Sequence, residues 1–532
     1  SSDSVYLAFG YGYRDLEKKQ PVLPTTTFAI GSCSKAFTAF GLALQEEEGL
    51  LDLNDKVYDL LPGFRLYDEY ATLNIKVIDL LTHMSGLPRH DLMWYGSSMG
   101  RQEIFERLRY LEPTYELREE WQYQNLMFMT AGMLSGTLDN ATWEDVVESR
   151  IMKPLNMLSS SPRFEKLEES DAALPYQYKD GETVLMDKRN IDAVGPAGSI
   201  NSNIVDMSKW VQALLGEGTV NGQEIFPSSV VQRSLEPKVI VQRSNSPNES
   251  PLMYALGWLV WYEDGHRVIQ HGGNIDGYSA LIQMLPDEDI GFIVLTNQNG
   301  SAATGAIANF LQQTWLNGEA NDISKYAQYG KQEQETKGKK HRVEGTQPDH
   351  PLENYTGVFE HPGYGKAYVW MEDDELSVSF NEDTLPLTHW HYETFSAGYD
   401  EIGEQVLITY RSVENGYVQN IEFAAEPSLD HPVVFKMLPN PAWEEEAYLE
   451  EFVGDYELET VTLTLRLEGG SLIAGGGTTG RYTMVPYRKD LFKLKEANGF
   501  LIEFVRDKKG RVVEMINHQP NGSFPATRVD QK

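Results

Sequence analysis

The chain has 532 residues, 41% hydrophobic and 11% aromatic, enough apolar material for more than one globular core. A formal net charge of −34 argues against nucleic acid as a partner, because a phosphate backbone needs a basic surface. With Cys33 as the single cysteine, an internal disulfide is excluded and a cysteine-based metal site is not expected, and no apolar run is long enough to span a bilayer.

In chain order, the opening Ser1-Ser2-Asp3-Ser4 shows no charged-then-apolar leader. Residues 5–13, VYLAFGYGY, are rich in aromatic residues and predict a strand. Phe28-Ala29-Ile30-Gly31 lead into a helix that carries Ser32 and ends near Gly49. Its apolar positions Phe37, Phe40, Leu42 and Leu44 predict that it is largely buried. Helical patterns follow at 52–61, 75–82, 101–110, 125–137, 143–152 and 204–215. After residue 250 the texture changes to strands, at 256–262, 267–270, 278–285 and 290–296, with a hairpin turn at Pro286-Asp287-Glu288-Asp289. A helix at 301–316 closes the unit. This order implies an α+β domain over 1–317, with a mixed-order sheet and a helical subdomain.

Residues 318–350 are polar, lack apolar periodicity and predict a linker. Beyond them lies an internal repeat. Leu352-Glu353-Asn354-Tyr355-Thr356-Gly357-Val358-Phe359-Glu360 aligns with Leu449-Glu450-Glu451-Phe452-Val453-Gly454-Asp455-Tyr456-Glu457. Two small antiparallel β modules, 351–440 and 441–532, are expected, with strands near Phe435 and Thr527 closing each copy. Deleting 350–532 is expected to leave a foldable catalytic unit. His389-Trp390-His391 has the look of half a metal site, but no third ligand accompanies it, so structural histidines are expected and no metal is assigned.

The chemistry begins at Ser32 and Lys35. Positions i and i+3 share a helix face, so an amine stands beside a hydroxyl that is a poor nucleophile without a base. Cys33, between them, points elsewhere and is expected to be a small buried side chain. Tyr123-Gln124-Asn125 enters the next long helix. Its phenol, beside an ammonium, is expected to ionise below its ordinary value and act as general base, then acid. His271-Gly272-Gly273 follows a strand, and its glycines let backbone approach a ligand, aiming the Asn274 N–H into the cleft.

Together Ser32/Lys35, Tyr123/Asn125 and His271/Gly273 form an ordered S-x-x-K, Y-x-N, H-x-G set. The flanking Phe28-Ala29-Ile30-Gly31, Leu81-Thr82-His83-Met84-Ser85-Gly86-Leu87-Pro88 and Gly195-Pro196-Ala197-Gly198 fit the same pattern. Over roughly 5–316 the chain resembles the serine β-lactamase and penicillin-binding-protein superfamily, in its class C-like branch of esterases, D-aminopeptidases and transesterases. The resemblance implies a β-lactamase/transpeptidase-like fold. It implies that Ser32 attacks a carbonyl and carries the acyl group, that Lys35 and Tyr123 share the proton work, and that His271 tunes the Tyr123 proton. Asn125 would hold a substrate amide. The N–H groups of Ser32 and Asn274, with Gly273 beside them, would form the oxyanion hole.

Two departures stand out. Histidine and glycine replace the lysine and hydroxyl residue that grip a substrate carboxylate in many β-lactamases, which steers the expected substrate toward peptides, amides or esters, small or D-amino-acid-containing peptides foremost. The helix and first strand that normally precede the hairpin of residues 5–13 are absent, so the sequence is expected to be an N-terminally incomplete form. An esterase or acyltransferase on the same site, or a non-catalytic binding protein, is the alternative. No cofactor is expected. The partner is a small molecule or peptide, the oligomeric state is open, and a periplasmic or secreted setting is implied by the resemblance alone. By the same resemblance, a loop of a β module would reach the cleft and limit substrate size.

Overall fold

The computed structural model describes all residues except 180, 245–249, 319–340, 400–404, 413–417, 424–425, 427, 477–478, 498 and 530–532. Six strands form one antiparallel sheet in which spatial order follows chain order: Val239–Gln242, Leu252–Tyr254, Leu259–Glu263, His266–Ile275, Tyr278–Leu285 and Ile290–Thr296. Every residue of Tyr278–Leu285 is buried, which explains its unbroken apolar run. The helix Ala303–Asn317 covers it, with Gln283 donating to Gln312 at 2.6 Å.

Residues 5–13 do not form the predicted strand, and so the sheet is a simple meander rather than mixed in order. Only Tyr13–Asp15 is extended into a ladder, with Gln20–Pro21 as its partner. Alternating apolar residues make a strand only when a ladder and a covered face receive them. Here Leu7 and Tyr11 remain 69% and 90% exposed.

The helix Ser34–Glu47 runs through the centre of the domain, buried at every residue from Ser34 to Gln45. Trp210, from the helix Ile204–Leu215, stacks on Phe37 at 4.5 Å and meets Phe40 edge-on at 5.0 Å. Each such ring contributes about 1.5–3 kcal/mol by burial. The helix Asn125–Asp139 packs alongside it, joined by Gln45, which donates to Ser135 O and accepts from Ser135 Oγ. Gly49, at φ +77°, follows the Glu48 cap and turns the chain away.

The repeat resolves into two closed eight-stranded antiparallel barrels, one from Gly357–His361 through Val433–Leu438, the other from Gly454–Leu458 through Gly522–Val529. Closure removes the exposed edges that open sheets carry. The aligned residues do equivalent work. Gly357 and Gly454 adopt φ +151° and +154°, and Tyr355, Phe359, Phe452 and Tyr456 are all fully buried. His389 and His391 straddle a register shift and serve backbone: His389 Nε2 meets Tyr392 O at 2.9 Å and His391 Nδ1 accepts from Val343 N at 3.3 Å.

Of the polar stretch 318–350, residues 319–340 lie outside the described residues. Residues 341–350 run against the first barrel, where Arg342 donates to Trp390 O at 2.8 Å and Asp349 N to Glu393 at 2.7 Å. Among the described residues, no helix is long and apolar enough to cross a membrane.

Candidate active site

Ser32 lies in the 3-10 turn Gly31–Cys33 that opens the central helix. Lys35, one turn on, is fully buried; its Nζ donates to Asn125 Oδ1 at 2.8 Å and Ala197 O at 2.8 Å and lies within hydrogen-bond distance of Ser32 Oγ at 3.1 Å. As a free amine, Lys35 has two N–H groups for Asn125 and Ala197 and one lone pair for the hydroxyl, and the three partners fix it against Ser32. Burial, reinforced by the nearby Arg89 charge, holds the Lys35 amine well below its ordinary value of 10.5. The Gly195-Pro196-Ala197-Gly198 motif thus supplies a lysine acceptor, and Pro196 O also receives Thr38 Oγ1 at 2.7 Å.

Tyr123 covers the other side of Lys35, with Nζ 4.7 Å from its ring centre. Burial raises the Tyr123 phenol above its ordinary value, against the opposing pull of Ser32 as hydrogen-bond partner and of Arg89. The expectation of a phenolate is therefore not met in the resting site. Its premise was a neighbouring ammonium, and the neighbour is an amine whose own burial disfavours that charge. Tyr123 stands with its proton on.

Asn125 is buried with both amide atoms engaged: Oδ1 takes the Lys35 bond, and Nδ2 donates to Asp91 Oδ1 at 3.0 Å. Asp91 also accepts from Trp94 Nε1 at 2.8 Å and from Arg89 Nε at 2.6 Å. Arg89, half exposed, lies over the Tyr123 ring with Cζ at 5.2 Å. Sequence reasoning missed Arg89 and Asp91. They follow Pro88 directly, and proximity to the Tyr123 turn arises only in the fold.

The strand His266–Ile275 brings Gly273 and Asn274 against the Ser32 turn. A Cβ on Gly273 would stand 1.9 Å from Ile30 O and 3.0 Å from Ser32 N, while one on Gly31 would stand 2.8 Å from Asn274 N. Glycine at both positions permits this approach, and the two amides border one space. Cys33 faces away, its Sγ donating to His271 O at 3.3 Å, and burial pushes its thiol up to about 12. A thiol so held is not a nucleophile at neutral pH.

His271 is buried, its ring centre 6.3 Å from that of Tyr123. Burial, with Lys35 adding to it, pushes its imidazole down to about 4. Its bonds go elsewhere: Nε2 meets Tyr254 OH at 3.1 Å and Nδ1 meets Gly272 O at 2.6 Å. The same Tyr254 hydroxyl reaches His83 Nε2 at 3.2 Å, and His83 Nδ1 accepts from Gln124 N at 3.0 Å. His83 and Tyr254 are fully buried. The sequence offered His83 inside a recognisable flank; it offered no signal for Tyr254.

The loop that carries Arg89 and Asp91 is held from outside by the first barrel. His90 N donates to Glu426 at 2.7 Å, His90 Nδ1 meets Tyr364 OH at 2.6 Å, and Asn381 Nδ2 donates to Leu92 O and Tyr95 O, each at 2.9 Å. Tyr95 in turn donates to Asp276 at 2.6 Å, just beyond the Asn274 strand.

The chain matches a known family over more than half of its length: a family model described as Beta-lactamase covers residues 2–314. The chain belongs to the beta-lactamase family. A second model, a domain of unknown function (DUF3471), covers 341–436, the first barrel and its lead-in. The chain is 28% identical over 407 residues to the Unguisins hydrolase ungD' of Aspergillus campestris (strain IBT 28561), spanning 70% of this chain and 74% of that protein. It is 27% identical over 300 residues to Protein flp of Staphylococcus aureus (strain NCTC 8325 / PS 47), covering 56% of this chain and 57% of that protein. The octameric penicillin-binding protein homologue from Pyrococcus abyssi has the same fold, with a TM-score of 0.53 at 19% identity, over 81% of this chain and 93% of that one. This beta-lactamase family chain therefore has a relative that is a hydrolase by name.

Proposed function

We propose that the protein is a serine hydrolase that forms an acyl-enzyme through Ser32 and cleaves a peptide, amide or ester bond, with small or D-amino-acid-containing peptides as the favoured substrates. The observation that carries this is the buried Lys35 amine, held well below its ordinary value and 3.1 Å from Ser32 Oγ. In this reading, Ser32 Oγ bonds to the carbonyl carbon while its proton passes to the Lys35 lone pair. The carbonyl oxygen becomes an oxyanion between the Ser32 and Asn274 amides. Tyr123, which holds its proton, delivers it to the leaving nitrogen or oxygen as that bond breaks and is reprotonated from Lys35; water then attacks the acyl carbon, giving its proton to the same pair, which returns it to Ser32 Oγ as the acyl bond breaks. Asn125 serves to fix Lys35; with both amide atoms occupied, its role as a substrate holder would require it to exchange a partner. The hydrolase named for unguisins supports a hydrolytic outcome.

A fluorophosphonate probe followed by intact mass tests the reading. One adduct on the wild type and none on Ser32→Ala are expected, together with a fall of about three orders of magnitude or more in turnover across a screen of D- and L-aminoacyl amides and short esters. Absence of labelling in well-folded wild type would instead favour a binding protein on the same fold.

A further inference from the structure

His83 and Tyr254 stand outside the proton-transfer set, yet they join its two walls. The direction of each hydrogen bond between them follows from the ends of the chain. Gln124 N–H can only donate, so His83 Nδ1 accepts, and a neutral His83 carries its proton on Nε2. That N–H points at the Tyr254 oxygen, 3.2 Å away. At the other end the Gly272 carbonyl can only accept, so His271 carries its proton on Nδ1. Its Nε2 lone pair then receives the Tyr254 O–H at 3.1 Å. One arrangement satisfies every atom: Gln124 N–H to His83, His83 to Tyr254, Tyr254 to His271, His271 to Gly272 O.

The ends of this chain matter. Gln124 lies between Tyr123 and Asn125, and Gly272 directly precedes Gly273 and Asn274. The relay therefore ties the turn that bears the general acid to the strand that bears an oxyanion donor. Its members pack as well as bond, with the Tyr254 ring 4.9 Å from His83 and 6.0 Å from His271, and the Tyr123 ring 4.5 Å from His83. Burial keeps both imidazoles uncharged at neutral pH, with His83 well below its ordinary value, so protonation does not break the sequence of donors and acceptors.

We propose that His83 and Tyr254 are positioning residues, which hold the Tyr123–Asn125 turn and the His271–Asn274 strand in register so that acid and oxyanion donors meet one substrate carbonyl. The proposal rests on the acyl-enzyme reading for its catalytic consequence, but the relay itself is measurable without substrate.

Imidazole nitrogen NMR on the full-length wild type reads the tautomers directly. His271 protonated on Nδ1 and His83 protonated on Nε2 are expected; the opposite tautomer at either residue overturns the proposal. Tyr254→Phe keeps the ring and deletes both hydroxyl bonds. It is expected to shift the His271 Nε2 resonance and to slow fluorophosphonate acylation of Ser32 about tenfold, the scale of one to two lost buried hydrogen bonds. An unchanged acylation rate and an unchanged His271 signal would sink the idea. Should Tyr254→Phe fail to fold, His83→Asn provides the second arm: its side-chain oxygen can still accept from Gln124 N, while the donor to Tyr254 is lost, so the same slowing is expected. If wild-type Ser32 is not labelled at all, the acyl-enzyme reading fails, and the tautomer measurement still decides the relay.

Discussion

At the scale of single residues, burial does most of the chemistry. Removing the Lys35 amine from water penalises its ammonium, and the lone pair it gains faces Ser32 at 3.1 Å. The pH dependence follows. Acylation requires the free amine, so the labelling rate should fall as pH drops through the Lys35 pKa, and Lys35→Met should abolish the titrating limb. Cys33→Ala should stay active, because its buried thiol donates to the His271 backbone carbonyl rather than to the Ser32–Lys35 pair. His271 adds a stability prediction. Its imidazole titrates at about 4 in the fold against 6.5 when unfolded. Between those values the unfolded chain binds a proton that the folded chain refuses, so stability rises with pH across that window and is complete above 6.5. The contribution is ~3 kcal/mol from a shift of this size. Denaturation midpoints of wild type and His271→Asn between pH 4 and 7 test this: the variant should lose less stability on acidification, and parallel curves would count against it.

At the scale of elements, the site is a contact between a helix start and a strand. Gly31, at φ +50°, and Gly273 let the Ser32 turn and the Asn274 strand touch through backbone. Gly273→Ala would put a methyl 1.9 Å from Ile30 O and force the two apart. Loss of one oxyanion donor costs about 10²–10³ in rate, so labelling of Ser32 should fall by that order while far-UV circular dichroism stays native-like. Retention of full activity would mean that the Asn274 amide is not part of the hole. Asp91 acts on the same scale, since one carboxylate orients Arg89, Trp94 and Asn125. Asp91→Ala should loosen Lys35 through Asn125 and slow acylation more than tenfold.

At the scale of the whole molecule, the first barrel and the catalytic domain share one continuous apolar core, which includes Leu108, Leu111 and Met93 from one and Tyr364, Phe359 and Phe435 from the other. The second barrel has its own core around Phe452, Phe492 and Phe504, and reaches back through Arg488, which donates to Asn354 O and Val418 O. The expectation that deleting 350–532 leaves a foldable catalytic unit therefore divides in two. Removing 441–532 should leave a folded, labelled protein. Removing 341–532 should lower the melting temperature and impair acylation, because the loop holding Arg89 and Asp91 loses Glu426, Tyr364 and Asn381. The barrel reaches the chemistry in this structure through that loop. Equal melting temperatures for the two truncations would refute the shared core.

The sequence by itself determined what local pattern and order can carry. The helices at 204–215 and 125–137 (125–139 in the fold), the strands 278–285 and 290–296 and the barrel repeat were legible because their periodicity and punctuation are strong. Ser32, Lys35, Tyr123 and His271 were legible as an ordered set of reactive types. Tertiary structure decided what depends on surroundings. Residues 5–13 have strand composition but no ladder, and the short strands 239–242 and 252–254 carry too few residues to announce themselves. Burial pushes the Lys35 amine down and the Tyr123 phenol up, against the ammonium and phenolate that spacing alone suggests, since desolvation is a property of the packed interior. Tyr254 and Asp91 became part of the site for the same reason: hydrogen bonds between residues distant in sequence exist only once burial leaves each polar atom no other partner.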